Sequence, residues 1–247
     1  MEDCHDNYDP AHLLWLDDST SYSEIWQDHY VHAVERIHDY RPNARTLFLV
    51  RHPMARMISE WRQFVYLLDA ADSTIERNYG MRNPGKFSQD IRRFPGLLEN
   101  SRCAAALAPF AARFLAENIL VLRMEDLLAR DAGQVARLGG FLGLDAAALA
   151  GFTLEHHNAG SIKGRANPLG RALRAMPGLK GLGARLPLGV KRAIRPLIKR
   201  DPDAGLDLTQ ECIDHCRVAL QANTRDFLAA WGFDRAAYDD WDRFRRG

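Results

Sequence analysis

Two spacings of apolar residues alternate along this chain. Between Ser23 and Asp39, Ile25, Val31, Val34 and Ile37 recur at helical spacing, which predicts an amphipathic helix. Arg41, Pro42 and Asn43 break it. The next segment, Arg45–Val50, holds the apolar run Leu47-Phe48-Leu49-Val50, which predicts a short strand covered on both faces. Pro53 suits a first helical position, because its φ is already fixed and its missing N–H is not needed there. Met54, Met57, Ile58, Trp61 and Val65 then recur at helical spacing, so a helix is expected from Pro53 to about Leu68. From Asp69 to Pro95 the text is polar, with Asn83-Pro84-Gly85 as a turn signal, and an irregular loop is expected. Ser101–Leu115 is alanine-rich and helical, leading into a strand over Ile119–Met124. Thr209–Ala230 reads as a last long helix, and Trp231, Phe233, Tyr238 and Trp241 after it are expected to close a core. The first fifteen residues lack clear periodicity, so residues 1–17 are expected to be disordered or loosely packed.

Strands alternating with helices predict an α/β fold, a central parallel sheet flanked by helices, within a single domain over residues 1–247. Ligands of such sheets bind at the carboxyl ends of the strands, where Arg51 and the Glu125-Asp126 pair both fall. At Arg51 three sources of positive potential converge: the unpaired N–H groups of a helix start, the helix dipole and a guanidinium. Together they suit a phosphate. Glu125 and Asp126 are adjacent at a strand end and point in different directions, which favours a turn or helix-capping role over paired acid–base work.

The spacing R-x-P-x-x-R-x-x-S-x-W, from Arg51 through Arg56 and Ser59 to Trp61, resembles the motif that binds the 3′-phosphate of PAPS (3′-phosphoadenosine 5′-phosphosulfate) in sulfotransferases. The resemblance gives the phosphate-holding roles to Arg51 and Ser59, and Arg56 matches a common family position. Other stretches extend it: Asp18–Tyr22, Glu35-Arg36-Ile37, the strand and E-D-L turn of Ala116–Leu128, and Gln134–Leu144. His157-Asn158 and Lys163-Gly164-Arg165 fall where many bacterial members carry an asparagine and then a basic, glycine-containing segment, so Lys163 and Arg165 are implied as additional phosphate contacts. The basic segment 163–200 would cover the nucleotide as a lid. What the resemblance implies is a P-loop NTPase-like sulfotransferase fold. It also implies transfer of a sulfuryl group from PAPS to a hydroxyl or amine of a carbohydrate or small-molecule acceptor, with no metal.

The family's phosphosulfate-binding loop, with Lys and Gly followed by Ser or Thr, has no counterpart before Arg51, and the first forty residues contain neither glycine nor lysine. An N-terminally incomplete chain is therefore expected, and no residue matches the family's catalytic base. The alternative is a non-catalytic nucleotide-binding relative that keeps the 3′-phosphate site. A nucleoside or nucleotide kinase is disfavoured, since no Walker-type loop is present.

Composition narrows the setting. With 247 residues, 47% hydrophobic and 26% charged, the chain can build a sizeable core. A net charge of +1 gives no overall pull toward nucleic acid, but every charged residue from Lys163 to Arg200 is basic. Cys4, Cys103, Cys212 and Cys216 suggest no disulfide framework, which points to a reducing cytoplasm, and Cys212 and Cys216 read as buried thiols on a core face. No apolar run approaches the roughly twenty residues that span a bilayer.

Overall fold

The computed structural model describes residues 32–69, 75–77, 80–144 and 203–245. Their elements, in chain order, are α1 (Ala33–Tyr40), β1 (Thr46–Val50), α2 (Pro53–Asp69), α3 (Phe87–Arg93), α4 (Gly96–Glu99), α5 (Cys103–Ala111), β2 (Ile119–Arg123), α6 (Met124–Leu128), α7 (Ala132–Leu142), α8 (Gln210–Trp231) and α9 (Ala236–Asp239). The expectations for residues 1–17, Lys163, Arg165 and the segment 163–200 lie outside the described residues. The chain divides into two compact units, Met1–Arg51 with Cys103–Leu154, and His52–Arg102 with Glu155–Gly247.

The first unit is built on a parallel pair of strands. β1 and β2 run in register from Thr46 opposite Ile119 to Val50 opposite Arg123. Parallel strands need a long crossover, and more than sixty residues separate these two. The α/β class therefore stands, with a sheet of two strands among the described residues in place of the broader central sheet expected. On one face Phe48 meets Phe110 of α5 edge-on at 4.8 Å, and Phe114 lies beyond it. On the other, Leu120 and Leu122 of β2 pack with Leu127 of α6 and with Leu138 and Phe141 of α7. α7 starts on Asp131, whose side chain accepts the Gln134 N–H, and ends on Gly143 at φ 71, the left-handed conformation that glycine adopts without a Cβ clash.

β1 departs from the expectation of burial on both faces. Leu47 and Leu49 are 37% and 46% exposed, while Val50 is buried. The sequence run is uniformly apolar, but the helices over that face pack on β2, so successive β1 residues alternate between cover and exposure.

The second unit gathers α2, α3, α4 and α8 around one core. Met54, Met57, Ile58, Trp61, Phe64 and Val65 supply the α2 face, matched by Phe87, Ile91 and Leu97 and by Cys212, Ile213, Cys216 and Leu220. α8 begins on Thr209, whose hydroxyl accepts the Cys212 N–H at 3.2 Å. Cys212 and Cys216 sit on its core side as free thiols. Of the expected closing aromatics, Tyr238 and Trp241 are buried, and Phe233 stacks on Phe227 at 5.3 Å. The stretch from Asp69 to Pro95 is not simply a loop. α3 lies within it, burying Phe87, Asp90 and Ile91, and its first turn is capped from a distance by Asp207, which accepts both the N–H and the hydroxyl of Ser88.

Candidate functional site

Arg51 follows the last residue of β1, and α2 opens two residues later at Pro53. Arg51 belongs to the first unit and Ser59 to the second. Each is described in its own surroundings.

The Arg51 side chain is half-buried, and its Nε is shielded from solvent with no hydrogen-bond partner among the described residues. No carboxylate among those residues forms an ion pair with it. With no carboxylate paired to it, the guanidinium keeps an uncompensated charge, which suits an anion such as phosphate. Arg56 differs. Its guanidinium donates to Glu60 Oε2 at 2.8 Å, one helical turn on, and the other Glu60 oxygen accepts from Asn100. Of the two arginines in the motif, Arg56 is therefore committed within the protein. Ser59, half-buried on α2, has a hydroxyl with no hydrogen-bond partner among the described residues.

The start of α2 is more occupied than the sequence suggests. Pro53 has no N–H; the Met54 N–H donates to His52 Nδ1 at 3.2 Å, and the Arg56 N–H donates to the His52 carbonyl at 3.0 Å. The first turn thus leaves the Ala55 N–H as its one donor without an acceptor among the described residues, where a set of unpaired N–H groups was expected. His52 is the residue that the sequence reading missed. Its position directly before a proline-opened helix is an N-cap position, usually held by Ser, Thr, Asp or Asn. The ring is 1% exposed and lies against Tyr238, Trp241 and Phe244. Its Nε2 is 3.1 Å from the Tyr238 carbonyl. Since Nδ1 accepts and Nε2 faces an acceptor, the proton resides on Nε2 of a neutral imidazole. Burial, and then the Arg243 charge, lower its pKa from 6.5 to about 4.

Trp61, the last residue of the motif, anchors the helix in its unit. It is fully buried, and its indole N–H donates to Asp90 Oδ2 at 2.8 Å. Asp90 also accepts the Gly85 N–H, so a buried carboxylate is satisfied from two sides. Gly205, at φ 99, completes this corner: its carbonyl accepts the Phe87 N–H, and a Cβ there would lie 3.2 Å from the Gly85 carbonyl oxygen and 3.5 Å from the indole.

The remaining candidates of the sequence take structural places. Asp126, in the first turn of α6, pairs with Arg123, consistent with a turn role for Glu125-Asp126. Cys212 and Cys216 hydrogen-bond to each other. That bond lowers the Cys212 pKa, and together with burial it raises that of Cys216. Among the described residues no group of three His, Cys, Asp or Glu side chains could hold a metal ion. No helix among them is long and apolar enough to cross a membrane.

The model of the sulfotransferase family matches residues 10–148, more than half of the chain, and the match contains the whole span from Arg51 to Trp61. No curated protein sequence matches the chain.

Proposed function

Because the chain belongs to the sulfotransferase family, we propose that it transfers a sulfuryl group from PAPS to a hydroxyl or amine of a carbohydrate or small-molecule acceptor. The observation that supports this reading is that Arg51 forms no ion pair or hydrogen bond with any described residue, whereas Arg56 is paired with Glu60. Arg51 is also the arginine to which the family resemblance gives the 3′-phosphate. Ser59, with its hydroxyl unengaged among the described residues, is the second holder. Lys163 and Arg165 are the further cationic contacts we assign to the nucleotide, and the segment 163–200 its cover. We infer one domain of P-loop NTPase-like fold over the 247 residues, and the family match runs through parts of both compact units. Cys103, Cys212 and Cys216, none of them in a disulfide among the described residues, support a cytoplasmic, reducing setting.

When bound, PAPS would supply an activated sulfuryl group: the sulfur–oxygen bond to the 5′-phosphate breaks, adenosine 3′,5′-bisphosphate leaves with its electron pair, and the acceptor oxygen or nitrogen bonds to sulfur and passes its proton to a base or to water. The contribution of this chain's own residues is positional. Arg51 and Ser59 fix the ribose end of the donor by charge-assisted and neutral hydrogen bonds, so that the reacting sulfur is held relative to an acceptor.

The test is transfer itself. Incubation with radiolabelled PAPS and a panel of carbohydrates and small hydroxylated or amino compounds is expected to label at least one acceptor, and the Arg51→Ala protein is expected to label it far more slowly. Binding of the nucleotide without any transfer would favour a non-catalytic relative. No binding at all would overturn the reading.

A further inference from the structure

We propose that His52 is a proton-sensitive positioning residue: its neutral imidazole holds the first turn of α2, the helix that carries Ser59, and protonation releases that hold. The usual N-cap side chains present an oxygen that accepts a hydrogen bond from the helix near neutral pH. An imidazole can accept only through an unprotonated nitrogen. Here both nitrogens are committed, Nδ1 to the Met54 N–H at 3.2 Å and Nε2–H to the Tyr238 carbonyl at 3.1 Å. A second proton would turn Nδ1 into a donor facing another donor. The cap would then be lost, and the ring would carry a charge within the cage of Tyr238, Trp241 and Phe244.

The charges around the ring do little to favour the imidazolium. Arg243 opposes it and Asp240 favours it. Asp239 is paired with Arg235, and Asp242 with Arg217 and Arg245. On α2 itself Arg56 is cationic and paired with Glu60, and Arg51, the preceding residue in the chain, is cationic too. The sign follows. A histidine whose folded pKa lies below its unfolded value contributes stability that is fully present above the unfolded pKa of 6.5. That contribution is lost as pH falls from 6.5 toward about 4.

The effect on nucleotide binding rests on the function proposed above; the effect on folding does not, and the two are measured separately. In urea unfolding without ligand, lowering the pH from 7 to 5 is expected to reduce the folding equilibrium constant of the wild type about 20-fold more than that of His52→Asn, whose amide oxygen can cap but does not titrate. Equal pH dependence of the two proteins would overturn the proposal. Should His52→Asn fold poorly, NMR titration of the wild-type ring decides: resonances unmoved down to pH 5 support the proposal, and a midpoint near 6.5 contradicts it. In a second arm, adenosine 3′,5′-bisphosphate affinity is expected to fall more steeply with acid in the wild type than in His52→Asn. If the folding difference is found but neither protein binds the nucleotide, the phosphate reading fails while the proton-sensitive cap stands.

Discussion

Replacing Arg51 by alanine is expected to weaken binding of adenosine 3′,5′-bisphosphate roughly 30- to 100-fold while leaving the unfolding midpoint nearly unchanged. The size follows from losing a charge-assisted hydrogen bond to phosphate, about 2–3 kcal/mol. The small effect on folding follows from the structure, since the guanidinium makes no ion pair with any described residue. Arg51→Lys keeps the charge but loses the planar fork, and is expected to recover only part of the affinity. Ser59→Ala removes a neutral donor and should cost about tenfold. Arg56→Ala is the informative contrast: its partner is Glu60, so its effect should appear more in stability than in affinity. Calorimetric titration of the four proteins would show this order. If Arg56→Ala proved the more damaging to binding, the two arginines would have to exchange roles.

The largest effect on folding is expected at Trp61. Trp61→Ala removes one of the largest fully buried side chains and should destabilise the protein by about 4 kcal/mol, from lost burial and the cavity left behind. Trp61→Phe separates two contributions. It keeps most of the ring packing against Phe87, yet deprives the buried Asp90 of its indole donor, so a loss of about 2 kcal/mol is expected. Denaturant unfolding would check both, and a loss below about 1 kcal/mol in Trp61→Phe would mean that the Gly85 N–H alone satisfies the carboxylate.

The elements that could be read from sequence are those whose signal is local. Pro53 and the spacing of Met54, Met57, Ile58, Trp61 and Val65 placed α2 within a residue of its observed end, because one helix face was written out in full. The short runs at Phe48 and Val121 gave both strands, and the crossover between them implied the parallel pairing seen. What stayed hidden depends on distant partners. α3 reads as polar because Lys86, Ser88, Gln89, Arg92 and Arg93 surround its buried Phe87 and Ile91. Asp90 reads as a solvated charge, although its indole partner lies 29 residues away. The cover of β1 could not be read either, since the exposure of Leu47 and Leu49 is set by where the α6 and α7 side chains pack. His52 stands at an unspecified position of the motif, which gives it no role there. Its place before Pro53 was the available clue, because a residue there must satisfy the first N–H groups of the helix.

The phosphate role proposed for Arg51 and Ser59 lies with the group on the ribose 3′ position. The most direct measurement is calorimetric comparison of adenosine 3′,5′-bisphosphate with adenosine 5′-monophosphate on the wild-type protein. The bisphosphate is expected to bind at least about tenfold more tightly, an advantage that Arg51→Ala should erase. Equal affinity for the two nucleotides would contradict a dedicated 3′-phosphate site.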